Sequence, residues 1–127
     1  MLFHSVGTKI PVKVNSDLSA LQYAAVKLSS GIATCTFTKG DPVLGIIQDA
    51  VKGTSTNVKT GTLQIDGITR ALAGGTIAAN DYCIVDTDGA LLTDDASNQF
   101  VVGQALEAAV AGDFFSLKLI LAPTVTA

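Results

Sequence analysis

Tryptophan is missing from this chain, histidine occurs once and cysteine only twice. His4, the single His, stands near the N-terminus, where nothing in the sequence sets a Ser, Cys or acid against it as a triad needs. Cys35 and Cys83 match no metal or redox spacing, and with one His they make a poor zinc set. A disulfide between them would close a long loop; two free buried thiols are the alternative, since Cys packs as a small hydrophobe. With no Trp and two Tyr, paired-carboxylate glycoside chemistry lacks the aromatics of a sugar cleft. Ala73, Gly74, Gly75 and Thr76 lack the Lys-Ser/Thr that completes a phosphate loop. Acids cluster at Asp86, Asp88, Asp94 and Asp95, but an EF-hand starting at Asp86 would need Gly and Glu where Leu91 and Ser97 stand.

Long hydrophobic runs are absent too. None reaches the roughly 18 residues of a membrane span, and the N-terminus shows no basic stretch leading into an apolar one. The expectation is a soluble protein made in a cytoplasm, with no cofactor, no metal and no membrane partner. Only 15% of residues are charged, and unevenly. Residues 1–59 carry six Lys against three Asp, whereas residues 60–127 carry one Lys and one Arg against eight acids. An acidic half argues against a nucleic-acid groove. What is abundant is apolar: 48% of residues, much of it Ala and Val, which fits a globular chain with flat surfaces for subunit contact. A length of 127 residues makes one domain.

Ile10, Val12 and Val14 alternate with Lys9, Pro11 and Lys13, a half-buried strand that Pro11 assigns to an edge or an arm. Leu18, Leu21, Ala25 and Leu28 follow at helical spacing behind the cap-forming residues 15–17. Thr-rich alternation at 33–38, a turn at Lys39, Gly40 and Asp41, and short apolar or alternating segments at 43–48, 63–65, 68–72 and 82–86 read as strands and turns. Asp88 and Gly89 are the best hairpin signal, returning through 90–93, and residues 115–121 close as a strongly alternating strand.

The chain repeats itself. VLGIIQDAV (43–51) overlies VVGQALEAA (101–109), matching Gly45 with Gly103 and Asp49 with Glu107. Fourteen residues before each Gly stands another, Gly31 and Gly89, and Tyr23 and Tyr82 precede these. Because VLGIIQ is rich in β-branched residues, its partner VVGQAL is expected as strand, despite the helix-favouring AAVA after Glu107. The same logic makes residues 23–27 a strand and leaves residues 17–22 as a short helical turn. The expected fold is mainly β: a small barrel or sandwich-like domain with an internal pseudo-repeat (about 23–66 and 82–121), one or two short helical turns, and an extended N-terminal arm. The arm spans residues 1–16 and the single β domain residues 17–127.

Three stretches carry a family likeness: DLSALQYAAVKL (17–28) followed by VLGIIQDAVKG; GITRALAGGTIAANDYCIVDTDGALL (67–92); and FVVGQALEAAVAGDFFSLKL (100–119). Together they resemble the head decoration, or cement, proteins of tailed bacteriophages, in order and over about four fifths of the chain. Asn80 and Asp81 stand where the family has Gly-Asp, and residues 1–15 do not align. The resemblance implies a non-enzymatic, mostly-β virion protein on the outer capsid surface. It would be a homotrimer bracing neighbouring subunits of the major capsid protein, assembled in the host cytoplasm. An extended arm can add a strand to a neighbour's sheet, which makes Phe3, Lys9, Ile10, Val12 and Lys13 the candidate capsid or neighbour contacts. An ordinary edge strand of the domain is the plainer reading of the arm. The alternative function is a head-fibre, tail-associated or adhesin-like binding module, with the polar loop at residues 52–60 as its contact.

Overall fold

The computed structural model describes residues 7–95 and 99–123, which form ten strands and no helix. In chain order they are β1 (Lys9–Val14), β2 (Ala25–Ser29), β3 (Ile32–Thr34), β4 (Gly45–Ile47), β5 (Lys59–Gln64), β6 (Ile68–Leu72), β7 (Tyr82–Val85), β8 (Leu91–Thr93), β9 (Phe100–Ala105) and β10 (Phe114–Pro123). The first five close a barrel in the order β1-β3-β2-β4-β5; the second five make a sheet ordered β6-β10-β9-β7-β8.

These are two copies of one plan. Cut between β1 and β3, the barrel reads β3-β2-β4-β5-β1, which is β8-β7-β9-β10-β6 in the second unit. The barrel closes through parallel pairing of Lys13 with Ile32. The second unit meets itself at the same place through one parallel bridge, Ala73 with Leu91, and the Gly74 N–H donating to Leu91 O at 2.7 Å. The residues matched in sequence do matched work. A Cβ on Gly45 would lie 2.3 Å from Gln64 O, and one on Gly103 would lie 2.3 Å from Lys118 O. Both strands therefore approach the following one more closely than any side chain permits. Asp49 accepts the Thr62 N–H at 3.0 Å, and Glu107 accepts the Ser116 N–H at 2.9 Å.

The repeat therefore begins earlier than its sequence signal. β1 pairs with β5 over six residues, as β6 pairs with β10, so residues 9–14 are the first strand of the first unit. The boundary drawn at residue 16 cuts through the barrel: Val12 and Val14 face the core, 6% and 0% exposed, against Leu63 and Ile47. Pro11 fits because Ile65 N–H bonds to Thr8 O, which in this register turns the Pro11 nitrogen away from β5 toward an edge where β1 pairs with β3 only at Lys13. The tyrosines are not counterparts either. Ala25 pairs with Ile46 as Tyr82 pairs with Gln104, so Tyr82 answers to Ala25, and Tyr23 precedes the strand by two residues.

The expected helical turns are β-turns. Leu21 N–H bonds to Leu18 O and Ala24 N–H to Leu21 O, both at 3.0 Å, so two consecutive turns place every third residue inward and imitate helical spacing. After Glu107 the chain turns at 110–113. That turn occurs three times among the described residues. In 38–41, 78–81 and 110–113 the Asp N–H donates to the carbonyl three residues back, at 3.0, 3.1 and 3.0 Å. The Asp carboxylate accepts the first residue's N–H, at 2.8, 3.0 and 3.2 Å. The third position holds Gly40, Asn80 and Gly112, at φ 83°, 74° and 89°. Asn tolerates this left-handed region, so the departure from Gly-Asp at Asn80 preserves the turn.

One apolar cluster fills the barrel around Val14, Val26, Ile47 and Leu63. The other lies under the second sheet around Ile77, Leu91, Phe115 and Leu117, and takes Ala25, Phe37, Val43 and Ile46 from the first unit. Between them sits a polar seam. Buried Gln64 donates from Nε2 to Asp66 O and Ile68 O, and Gln48 donates to the hydroxyl of buried Thr69.

Candidate functional site

The surface is where this fold puts its chemistry on offer. On β1, Lys9, Pro11 and Lys13 point outward and are exposed, Ile10 is half-buried, and Val12 is core. Neither Lys9 nor Lys13 has an ion-pair partner among the described residues. Phe3 lies outside the described residues. Of the five contacts expected from sequence, the strand thus brings Lys9 and Lys13 to one outward face and removes Val12 from any partner's reach.

Most carboxylates are occupied with the chain itself. Asp41, Asp81 and Asp113 cap their turns, Asp49 and Glu107 hold strand amides, Asp86 accepts the Thr87 N–H, and Asp88 accepts the Ala90 N–H. The acidic excess of residues 60–127 is therefore largely a by-product of its turns. Two ion pairs occur among the described residues: Lys39–Asp95 at 2.6 Å and Lys27–Asp41 at 3.7 Å. The hydrogen bond from Lys39 lowers the Asp95 pKa, and the same bond raises that of Lys39. Both groups are exposed, where such pairs add little stability. A side-chain bond from Ser19 likewise lowers Asp17. Cys35 and Cys83 are free and buried. Burial, first, pushes each thiol up to about 12, with Asp88 and Asp81 adding to it. At neutral pH both are protonated and poor nucleophiles.

A shallow open hollow of about 320 Å³ lies beside the β2–β3 hairpin, lined by Asn15, Ser16, Ser29, Ser30, Ile32, Ala33 and Thr34. Its lining mixes hydroxyl and amide groups with Ile32 and Ala33 and has no ionisable side chain. The exposed loop at residues 53–58 is tied by Thr54 and Asn57 bonding to each other's carbonyls.

A second surface went unnoticed in the sequence. On β10 the side chains of Phe115, Leu117 and Leu119 face the core, so Phe114, Lys118 and Ile120 face out. Register aligns Tyr82, Gln104, Lys118 and Ile68 in one outward row across β7, β9, β10 and β6. Leu106 flanks this row, bonding to Ser116 O, and Phe114 flanks it beside Tyr23, their rings edge to face at 5.1 Å. Tyr82, Leu106, Val110 and Phe114 are 51%, 46%, 55% and 47% exposed. The available signal was on β10 itself, where Phe114 and Ile120 are apolar in the phase opposite to Phe115, Leu117 and Leu119.

No family model matches the chain, and no curated protein matches it. Among solved structures, the fold is similar to that in the crystal structure of the head fiber gp8.5 N base in bacteriophage phi29. The TM-score is 0.70 at 14% sequence identity, covering 94% of this chain and 100% of that one. At this identity the likeness is one of fold, and it takes in the whole of that base.

Proposed function

We propose that this chain is a structural protein of a phage head. In this reading it decorates the outer surface of an icosahedral capsid, bridges neighbouring major capsid subunits, and works as a homotrimer without catalysis, cofactor or metal. The observation that carries the reading is the fold, whose likeness to a head-fiber base extends over that base's whole length. The sequence stretches at 17–28, 67–92 and 100–119 support it separately, through their resemblance to head decoration proteins. The surface supports it as well: outward lysines on β1 and an exposed apolar face on β10 offer many modest contacts, and repeated copies on a lattice turn modest contacts into firm attachment. Lys9 and Lys13 remain the proposed capsid contacts on β1, with Ile10 beside them.

A second reading has its own support, since the structural likeness is to a fiber base: this chain would be the foot by which a head fiber stands on the capsid. Copy number separates the two. Quantitative mass spectrometry of purified virions counts this chain against the major capsid protein. Comparable numbers are expected for decoration; a handful per particle would establish the fiber reading, and absence from virions would overturn both.

A further inference from the structure

We infer that Tyr23 is a strained strap: its turn adopts a conformation that its side chain opposes, and by doing so lets the first unit grip the end of β6 and β10 in the second. The inference does not depend on the chain being a head protein. The duplication supplies an internal control. Tyr23 N–H donates to Ile47 O at 2.8 Å, and Ile47 N–H to Ala24 O at 3.0 Å. Asn80 N–H donates to Ala105 O, and Ala105 N–H to Asp81 O, both at 2.8 Å. Ile47 and Ala105 each stand two residues after the matched Gly45 and Gly103, so Tyr23 and Asn80 hold one position of the shared plan. Both are left-handed, at φ 66° and 74°. The second unit fills that position with Asn, which tolerates it, and closes the turn with the Asp81 carboxylate on Ala78 N–H at 3.0 Å. The first unit fills it with a bulky aromatic, which this region disfavours, and has Ala24 where the carboxylate would stand. The needs of the turn therefore do not account for Tyr23.

Its contacts across the seam do. Register pairs Phe114 with Leu72, at the end of the β10–β6 ladder. Tyr23 holds both members of that pair. Its carbonyl accepts the Leu72 N–H at 2.9 Å, and its ring meets the Phe114 ring edge to face. Tyr23 also packs on the core under the second sheet. Asn80, by contrast, keeps its carbonyl inside its own unit, accepting Gln104 Nε2 at 3.1 Å. A strained backbone persists where surrounding contacts outweigh it, and here those contacts belong to the other unit. Loss of the ring contact lets the turn relax and frees the Leu72 end of β6. The strap thus makes the turn less stable than its copy and the seam more stable than the backbone bond alone would.

The test is amide hydrogen exchange of the full chain, read residue by residue by NMR. The main variant is Tyr23→Asn, which writes the second unit's residue into the first. The Leu72 amide is expected to exchange about tenfold faster. The Ala24 amide, which closes the turn on Leu21 O, is expected to keep or gain protection. Phe114→Thr removes the ring partner and should speed Leu72 in the same way, and the two substitutions together should be no faster than either alone. Tyr23→Phe should match the wild type, because the hydroxyl makes no hydrogen bond among the described residues. Asn80→Gly, at the same position of the second unit, should leave Leu72 unchanged. A wild-type rate at Leu72 in Tyr23→Asn overturns the inference. So does an Ala24 amide that speeds up as much as Leu72, since Tyr23 would then be stabilising its own turn. If Tyr23→Asn does not fold, Phe114→Thr decides by the same two amides.

Discussion

Asn80 holds a left-handed backbone that Gly40 and Gly112 hold in the sister turns. An L side chain there costs about 1–2 kcal/mol, less for Asn because its amide is short and polar. Asn80→Gly should therefore leave stability unchanged or slightly raised, and Asn80→Ala should lower it by about 1 kcal/mol, read from urea unfolding. Tyr23 takes the same conformation at φ 66° and is held there by its ring against Phe114 and by its backbone bonds to Ile47 and Leu72. The cysteines give a pH prediction. Their folded pKa values are raised to about 12 from the ordinary 9.0, so their ionisation favours the unfolded chain once pH passes the unfolded value. Whatever stability this protects is intact below about pH 8.5 and is lost as pH rises toward the folded value, at up to about 1.4 kcal/mol per pH unit for each thiol. Wild type should lose stability between pH 9 and 11 faster than a Cys35→Ala, Cys83→Ala double variant (pH values roughly bracketed by the shift). Equal slopes would show that the thiols do not sense burial.

At the scale of strands, the glycines of β4 and β9 set the packing of each unit. A Cβ at Gly45 or Gly103 would press on a neighbouring backbone oxygen and on Leu63 or Leu117, and backbone cannot rotate away. Gly45→Ala and Gly103→Ala should each cost about 1–3 kcal/mol, as overpacked cores do. Alanine at Gly31, where nothing lies within 4 Å, should pay only for its φ of 79°. This contrast explains what the sequence disclosed. Close approach forces Gly at one offset, amide capping forces an acid four residues later, and such fixed demands leave a visible repeat. Strand β1 left none: KIPVKV and its counterpart ITRAL share no residue pattern, because outward positions are free to differ. Paired β-turns passed for a helical turn at residues 17–22 because Leu18 and Leu21 stand three apart, a spacing that a helix shares. The outward apolar groups stayed hidden because the alternation of β10 marks Phe115, Leu117 and Leu119 as core but does not disclose the register that sets Phe114 and Ile68 on one face.

For the whole molecule, the N-terminal strand is a structural member first. An arm lying apart from the domain could be removed without unfolding it. With β1 built in, deletion of residues 1–14 strips β5 of its ladder, opens the barrel and exposes Leu63 and Ile47. The truncated chain should fail to unfold cooperatively by circular dichroism. A sharp transition near that of the wild type would show that the barrel tolerates an open edge. Contact by Lys9 and Lys13 is therefore better probed by Lys9→Glu and Lys13→Glu, which leave the ladder whole. Occupancy of these variants on heads should fall, with the larger effect at low salt.

The core beneath the second sheet borrows Ala25, Phe37, Val43 and Ile46 from the first unit, and Gln48 and Gln64 reach across to Thr69 and Ile68. The two copies of the plan are coupled through this shared core and seam. The second half loses part of its interior when the first melts. Scanning calorimetry should therefore record a single heat-absorption peak, with the calorimetric and van't Hoff enthalpies equal. The second half expressed by itself should be an incompletely folded chain, so the repeat is visible in the topology and not as two separate thermodynamic units.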